Sequence, residues 1–219
     1  MEEGERFPEL HDLLSSYAFA GNTFTDTAEE PGPALHAYVR QALRTPGALD
    51  RVIAEIDDLL ETGLFSDDIA DDVDALPHVN PPVGRTVEQC LAVARAHLRR
   101  IREGGTHQHS SVPQTDWEWR KRFPELRHLL AAQFHQDFSR FYGSHGEALD
   151  DYFSANPADA VSEAAREIES LLAMVETDDE LDHVTEILGL QVYPPDGVSL
   201  RQWLTDIQNI IRHRSSTRP

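Results

Sequence analysis

The nine residues Arg6-Phe7-Pro8-Glu9-Leu10-His11-Asp12-Leu13-Leu14 recur as Arg122-Phe123-Pro124-Glu125-Leu126-Arg127-His128-Leu129-Leu130. Seven of the nine positions are identical, at an offset of 116 residues. In both stretches the proline suits a first helical turn, where no amide hydrogen is needed, and leucines follow at helical spacing. Each stretch is therefore typical of the start of an amphipathic helix, and the pair indicates two tandem copies of one unit.

The repeat continues along the chain at nearly the same offset. Ile56, Leu59 and Leu60 match Ile168, Leu171 and Leu172, and Pro81-Pro82 matches Pro194-Pro195. Residues 103–116 between the copies are polar, contain glycine and proline and lack an apolar period, as linkers do. The sequence therefore predicts one domain over 1–102, a linker over 103–116 and a second domain over 117–219.

Within each copy the apolar residues recur at three- and four-residue steps, and helix-start signals precede these runs. Thr86 with Gln89, Ser199 with Gln202 and Thr177 with Glu180 are spaced as capping boxes, and Gly189 is placed to end a helix. We predict an all-α fold with about five helices per copy. The predicted helices span 8–20, 33–44, 47–62, 66–76 and 86–102, then 124–137, 145–155, 157–175, 178–188 and 199–213.

Three details of packing follow from the same patterns. Residues 190–193 alternate like a strand, but the two prolines that follow favour an extended connection. Trp203 lies on the apolar stripe of the last helix and is expected in the core. Trp117 and Trp119 are expected to pack the linker onto the second copy.

The charge balance limits the classes of partner. The chain has 19 Lys and Arg against 39 Asp and Glu, a net charge of −20, and both halves are acidic. Phosphate backbones and anionic lipids are bound by clustered cations, so neither nucleic acid nor a membrane surface is expected. A basic protein is the natural complement of this surface.

Cysteine content and hydropathy indicate the compartment. Cys90 is the single cysteine, which excludes an intramolecular disulfide framework and a cysteine-based zinc site. No apolar run approaches ~20 residues, and the first residues are acidic rather than basic and then apolar. We therefore expect a cytoplasmic protein.

The second copy also resembles a known family. Its Phe123-Pro124-Glu125-Leu126, the segment Phe134-His135-Gln136-Asp137-Phe138 and the segment Tyr193-Pro194-Pro195-Asp196-Gly197 are similar to the pattern of the small helical immunity proteins of bacterial contact-dependent growth inhibition systems. The resemblance covers nearly all of residues 117–213. The first copy keeps the opening and the Pro-Pro element but has Phe19-Ala20-Gly21-Asn22 near the expected His-Gln-Asp, and Cys90 in place of Trp203.

The resemblance implies a cytoplasmic binding protein that neutralises the toxic C-terminal domain of a cognate effector. It implies no catalytic residues and no cofactor. From the residues alone, a tandem helical adaptor or regulatory module that binds another basic protein stays open as the alternative. No nucleophile motif, phosphate loop or complete metal shell is present in the sequence, and we expect neither catalysis nor a metal site.

Two acidic runs are candidates for contact with a basic toxin. One comprises Asp178, Asp179, Glu180 and Asp182, and the other comprises Asp67, Asp68, Asp71 and Asp72. Both are expected on corresponding helices, with no Lys or Arg nearby to neutralise them. A solvated helix face explains the same runs, and two acidic residues would already complement a helix dipole.

His135 and Asp137 are the remaining candidates for the interface. A structural role, in which both side chains bond to backbone near the end of the first helix of the copy, is the favoured explanation, with the interface as the alternative. His128, seven residues earlier on the same helix face, makes a metal or acid–base site conceivable, although no convergent third ligand is evident in the sequence.

Overall fold

Every regular element in the described part of the chain is helical, so the prediction of an all-α fold is confirmed. The computed structural model describes residues 6–64, 66–104, 110 and 112–217. No helix among these residues combines the length and the apolar character needed to cross a bilayer. The chain divides into two compact units, residues 1–118 (unit 1) and 119–219 (unit 2).

Unit 1 is built around one apolar core. Its helices are α1 (Pro8–Phe19), α2 (Pro33–Ala42), α3 (Ala48–Thr62), a 3-10 helix (Asp67–Ile69), α4 (Ala70–Asp74) and α5 (Val87–Arg102). Thr86 and Gln89 form the predicted reciprocal capping box at the start of α5. Tyr17, Leu35 and Ile56 are fully buried where α1, α2 and α3 pack together.

The described part of unit 2 contains seven helices, the first of which starts before the division between the units. They are α6 (Asp116–Arg122), α7 (Pro124–Gln133), α8 (Phe138–Phe141), α9 (His145–Ala155), α10 (Ala158–Met174), α11 (Asp178–Ile187) and α12 (Leu200–Thr217). α10 packs against both α7 and α12. Trp203 is buried, as predicted, and the ring of Phe134 meets it edge-on at 4.9 Å.

Four helical segments differ from the predictions, and one of them is α8, which lies in none of the predicted helices. The predicted helix 124–137 ends at Gln133, because Phe134 leaves the helical region and the chain turns before α8. The predicted helix 66–76 is a short 3-10 helix followed by the five residues of α4. α6 was not predicted, because its seven residues lie in a segment that is polar apart from its two tryptophans.

The side chains of Trp117 and Glu118 belong to unit 1, which corrects the expectation for Trp117. Its ring lies 6.4 Å from that of Tyr38 in the core of unit 1. Glu118 is buried and accepts two hydrogen bonds from Arg40, at 2.8 and 3.0 Å. Trp119 stacks instead on Phe123 of unit 2. Of the predicted linker, residues 105–109 and 111 lie outside the described residues.

One buried contact has the same geometry in each unit. The Leu10 N–H donates to Glu55 Oε2 at 2.7 Å, and the Leu126 N–H donates to Glu167 Oε2 at 2.7 Å. The preceding phenylalanines, Phe7 and Phe123, have φ and ψ of −125° and 57° and of −127° and 58°. These matching contacts are consistent with a duplicated unit, which stays a prediction.

Candidate functional site

The acidic residues of α11 lie on its outer face. Thr177 Oγ1 accepts a hydrogen bond from the Glu180 N–H at 3.2 Å, which fixes the start of the helix. Leu181, Val184 and Ile187 are buried on the inner side. Asp178, Asp179 and Asp182 are exposed and Glu180 is half-buried. The predicted run therefore faces solvent, where a partner can reach it.

A cation does lie beside this run, contrary to the expectation from the sequence. Arg201 Nε is 3.5 Å from Asp178 Oδ1. The same guanidinium donates to the carbonyl oxygens of Leu172 and Val175 at the end of α10, at 3.2 and 2.9 Å. Arg201 is 23 residues from Asp178 in sequence, so only the packing of α12 against α11 reveals the pair.

The acidic run of unit 1 is arranged differently. Asp68 and Asp71 are exposed and Asp72 is half-buried, whereas the side chain of Asp67 lies outside what the structure describes. Ser66 Oγ accepts from the Asp68 N–H at 3.4 Å, which closes only a 3-10 turn. The four residues are split between that turn and α4, so the expectation of corresponding helices in the two copies is wrong.

His135 and Asp137 form a local turn after α7. His135 Nδ1 accepts from the Asp137 N–H at 3.1 Å, and the ring of His135 lies edge-on to that of Phe141. The Asp137 carboxylate pairs with Arg140 at 3.2 Å. The structural role predicted for His135 is therefore present, while Asp137 uses a side-chain partner rather than backbone.

His128 takes no part in this turn. Its Nε2 lies 3.1 Å from Asn156 Oδ1 in the connection between α9 and α10. Among the described residues, no group of three or more His, Cys, Asp or Glu side chains is arranged to hold a metal ion.

The extended segment 190–193 joins this turn to the acidic helix. The Gln191 N–H donates to the Phe134 carbonyl oxygen at 2.9 Å, and Gln191 Oε1 accepts from the Gln136 N–H at 3.0 Å. His145 Nε2 lies 3.3 Å from the Tyr193 carbonyl oxygen. The segment forms no strand, as predicted, and it ties the start of α9 to the residues that follow α11.

Two aromatic side chains of unit 2 were missed as candidates. Phe141 is 70% exposed and Tyr193 is 69% exposed. Aromatic residues are the commonest anchors of protein interfaces. Phe141 is the last residue of α8, two positions before Gly143, and Tyr193 directly precedes Pro194-Pro195. An aromatic residue near turn-forming glycine or proline and outside any apolar period is the signal that could have found them.

Two carboxylates, those of Asp182 and Glu186, and the ring of Tyr193 meet at one cleft. A cleft of about 430 Å³, here called the α11 cleft, is lined by residues of α11, the extended segment and the start of α12. Its walls are Asp182, Thr185, Glu186, Leu190, Gln191, Val192, Tyr193 and Leu200. A basic side chain could therefore meet carboxylates and an aromatic ring at the same place.

Residues 122–211 match the family model described as CdiI immunity protein. The match begins at the Arg122-Phe123-Pro124 opening and ends within α12, so it covers most of unit 2. The family resemblance inferred from the second copy is therefore confirmed over these residues. No curated protein and no solved structure matches the chain.

Proposed function

Because residues 122–211 belong to the CdiI immunity protein family, we propose that the chain binds and neutralises the toxic C-terminal domain of a cognate contact-dependent growth inhibition effector. The family match is the observation that carries this proposal. The chain acts by occupying the toxin in the cytoplasm, without catalysis and without a cofactor. To protect a cell it must leave negligible free toxin, which requires nanomolar affinity or better, about −12 kcal/mol.

The α11 cleft and the exposed aromatic residues support separate roles for the charged and the aromatic side chains of unit 2 in toxin binding. Charged groups at the rim of an interface mainly raise the association rate and are screened over ~8 Å at physiological salt. Asp178, Asp179 and Asp182 therefore steer a basic toxin domain, while Phe141 and Tyr193 set the dissociation rate. Asp178 contributes least, because Arg201 already offsets its charge.

The role of unit 1 follows from the predicted duplication. The shared Leu–Glu contact supports a common origin of the two units. The acidic residues Asp68, Asp71 and Asp72 give unit 1 a separate surface for the same toxin or for a neighbouring region of it. Unit 2, which carries the family match, is the main anchor.

Growth protection tests the proposal directly. Cells that express the toxic C-terminal domain of the cognate effector should stop growing, and co-expression of the full chain should restore growth. The double variant Phe141→Ala and Tyr193→Ala should weaken binding at least about 30-fold, because loss of a hot spot costs about 2 kcal/mol or more. Ile210→Ala, at another exposed apolar position of unit 2, is the matched control and should bind normally.

Two outcomes would count against the proposal. Failure of the wild-type chain to restore growth would contradict the immunity function. Tight binding to a basic protein other than the toxin, without protection, would favour the adaptor alternative.

A further inference from the structure

Unit 1 places its own arginine against the carboxylate at the start of α1. Arg51 Nε and Nη2 lie 2.9 and 2.5 Å from Glu9 Oε1, and Arg51 Nη1 donates to the Pro46 carbonyl oxygen at 3.1 Å. The Arg51 side chain is 49% exposed, so the guanidinium covers Glu9 from the solvent side. A cation therefore occupies a position in unit 1 that is open to solvent.

Unit 2 has a glutamate at the matching position. Glu167 binds the Leu126 amide as Glu55 binds the Leu10 amide, and Glu125 precedes Leu126 as Glu9 precedes Leu10. One turn before Glu55 on the same helix face stands Arg51, whereas one turn before Glu167 stands Glu163. No described residue of unit 2 forms an ion pair with the side chain of Glu125. Unit 2 therefore has three carboxylates, those of Glu125, Glu163 and Glu167. At the matching positions unit 1 has the carboxylates of Glu9 and Glu55 and the guanidinium of Arg51.

The pKa of the buried glutamate is set by different neighbours in the two units. Burial raises the pKa of Glu167 to about 7, and the charges of Glu163 and Glu125 add to the rise, although the Leu126 amide opposes it. In unit 1 burial also raises the pKa of Glu55, but there Arg51 counteracts the rise.

One buried hydroxyl of unit 2 differs from its counterpart in unit 1. Tyr152 is fully buried, and its hydroxyl has no hydrogen-bond partner within the described residues. Burial, followed by the charges of Glu125 and Glu167, raises the pKa of Tyr152 to about 12, so two of the same carboxylates act on this hydroxyl. The matching Tyr38 of unit 1 donates to Glu9 Oε2 at 3.4 Å.

The cations that unit 2 does place nearby are weakly held. Arg166 pairs with Glu163 at 2.5 Å, but its side chain is 67% exposed, and exposed ion pairs contribute only ~0–1 kcal/mol. Arg127 is exposed at the cleft beside Glu125, and His128 bonds to Asn156. This cleft of about 690 Å³ is lined by Glu125 and leaves room for a side chain from outside to reach that carboxylate.

We propose that Glu125, Glu163 and Glu167, here called the glutamate site, receive an arginine side chain of the toxin domain, in the position that Arg51 fills in unit 1. The inference rests on the proposed function. A guanidinium suits the site because its planar fork pairs with carboxylates in two directions. The carboxylates are not arranged to hold a metal ion in the described structure, so a metal is not the occupant that the geometry favours.

Substitution of the missing arginine into unit 2 tests the proposal in the full chain. In the Glu163→Arg variant the new arginine should pair with Glu125, as Arg51 pairs with Glu9 in unit 1, and the chain should stay folded. Toxin binding should weaken at least about 30-fold, which is the effect of losing a buried charge pair. Glu163→Gln should weaken binding less. Glu169→Arg, the same change at an exposed position of the same helix, is the control and should bind within about twofold of wild type.

A toxin-independent probe separates this inference from the proposed function. Millimolar methylguanidinium chloride should shift the NMR signal of the Leu126 amide in the wild-type chain, while sodium chloride at equal ionic strength should not. Glu163→Arg should abolish the shift. If wild type binds toxin and Glu163→Arg binds equally well, the glutamate site is wrong and the immunity function stands. If wild type does not bind toxin, a shift specific to methylguanidinium still supports the site, and its absence overturns it.

Discussion

At the scale of single residues, opposing effects set the pKa of the Glu167 carboxyl group. It is only 6% exposed, and its acceptance of the Leu126 amide at the start of α7 favours the charged carboxylate. Burial and two like charges outweigh that bond, so its pKa lies near 7 instead of 4.5. A carboxyl group in this position is a source of pH-dependent stability.

We expect the free energy of unfolding to fall as the pH rises from about 4.5 to about 7. Over this range the folded chain binds a proton at Glu167 that the unfolded chain has released, so the stabilisation is complete below the unfolded pKa and lost above the folded one. Glu167→Gln should remove this part of the pH dependence and be more stable than wild type at pH 8 by up to roughly 3 kcal/mol.

Urea unfolding followed by circular dichroism between pH 5 and pH 8 measures this difference. Glu169→Gln, at an exposed position of α10, is the control and should keep the wild-type pH dependence. An identical slope in wild type and Glu167→Gln would show that Glu167 ionises normally.

At the scale of elements, the end of α11 depends on Gly189. Its φ is +100°, and the Gly189 and Leu190 amides donate to the Glu186 and Thr185 carbonyl oxygens, both at 2.9 Å. A Cβ at Gly189 would lie 2.7 Å from Ala131 Cβ and 3.2 Å from Ala131 Cα. The glycine thus ends α11 and also lets it approach the backbone of α7.

Gly189→Ala should therefore lower the free energy of unfolding for two reasons. The left-handed conformation costs an alanine about 1–2 kcal/mol, and crowding in a packed interior adds about 1–3 kcal/mol. Gly197→Ala is the matched control, because Gly197 also has a positive φ, of +82°, but has no atom within 4 Å of an added Cβ. Thermal unfolding should show the larger loss at Gly189, and equal losses would exclude the close contact with Ala131.

At the scale of the whole molecule, the division between the units places residues 112–118 with unit 1. Glu118 accepts bonds from Arg40, the Gln114 N–H and the Thr115 hydroxyl, and Trp117 packs in the core. A fragment 1–118 should therefore be more stable than a fragment 1–110 by about 3 kcal/mol or more, because the shorter fragment leaves Arg40 without its buried partner Glu118.

Fragments 1–118 and 119–219 should each unfold cooperatively with strongly helical circular dichroism spectra. Urea midpoints for 1–110, 1–118 and 119–219 provide the measurement. A molten fragment 119–219 would mean that unit 2 requires unit 1, and equal stability of 1–110 and 1–118 would contradict the role of Glu118.

The net charge of −20 gives a second expectation for the whole molecule. Neutralising Asp178, Asp179, Glu180 and Asp182 should slow association with the toxin about tenfold at low salt, while dissociation stays nearly unchanged, because rim charges act mainly on encounter. The matching change at Asp67, Asp68, Asp71 and Asp72 should have a smaller effect. Stopped-flow association at several salt concentrations measures both rates, and an association rate insensitive to salt would exclude steering.

The sequence by itself determined most of the helices, because their signals are local. Pro8 and Pro124 begin α1 and α7, and Thr86 forms the predicted capping box with Gln89 at α5. Of the box predicted at α11, the bond from the Glu180 amide to Thr177 is present. Capping and apolar periodicity involve residues within a few positions of one another, so they can be recognised without knowledge of the fold. At Ser199 the prediction held in part, since Ser199 accepts the Gln202 amide but the Gln202 side chain donates to Asp206 instead.

Only the tertiary structure decided which side chains share a surface. It placed Arg201 beside Asp178, joined Gln191 to Gln136, and showed that Glu163 occupies in unit 2 the place of Arg51. The first two relations are contacts between residues 23 and 55 positions apart in the sequence, and only the packing of elements within unit 2 brings these residues together. Patterns of nearby residues therefore fix the elements, whereas the candidate binding surface arises from contacts between elements that no local pattern encodes.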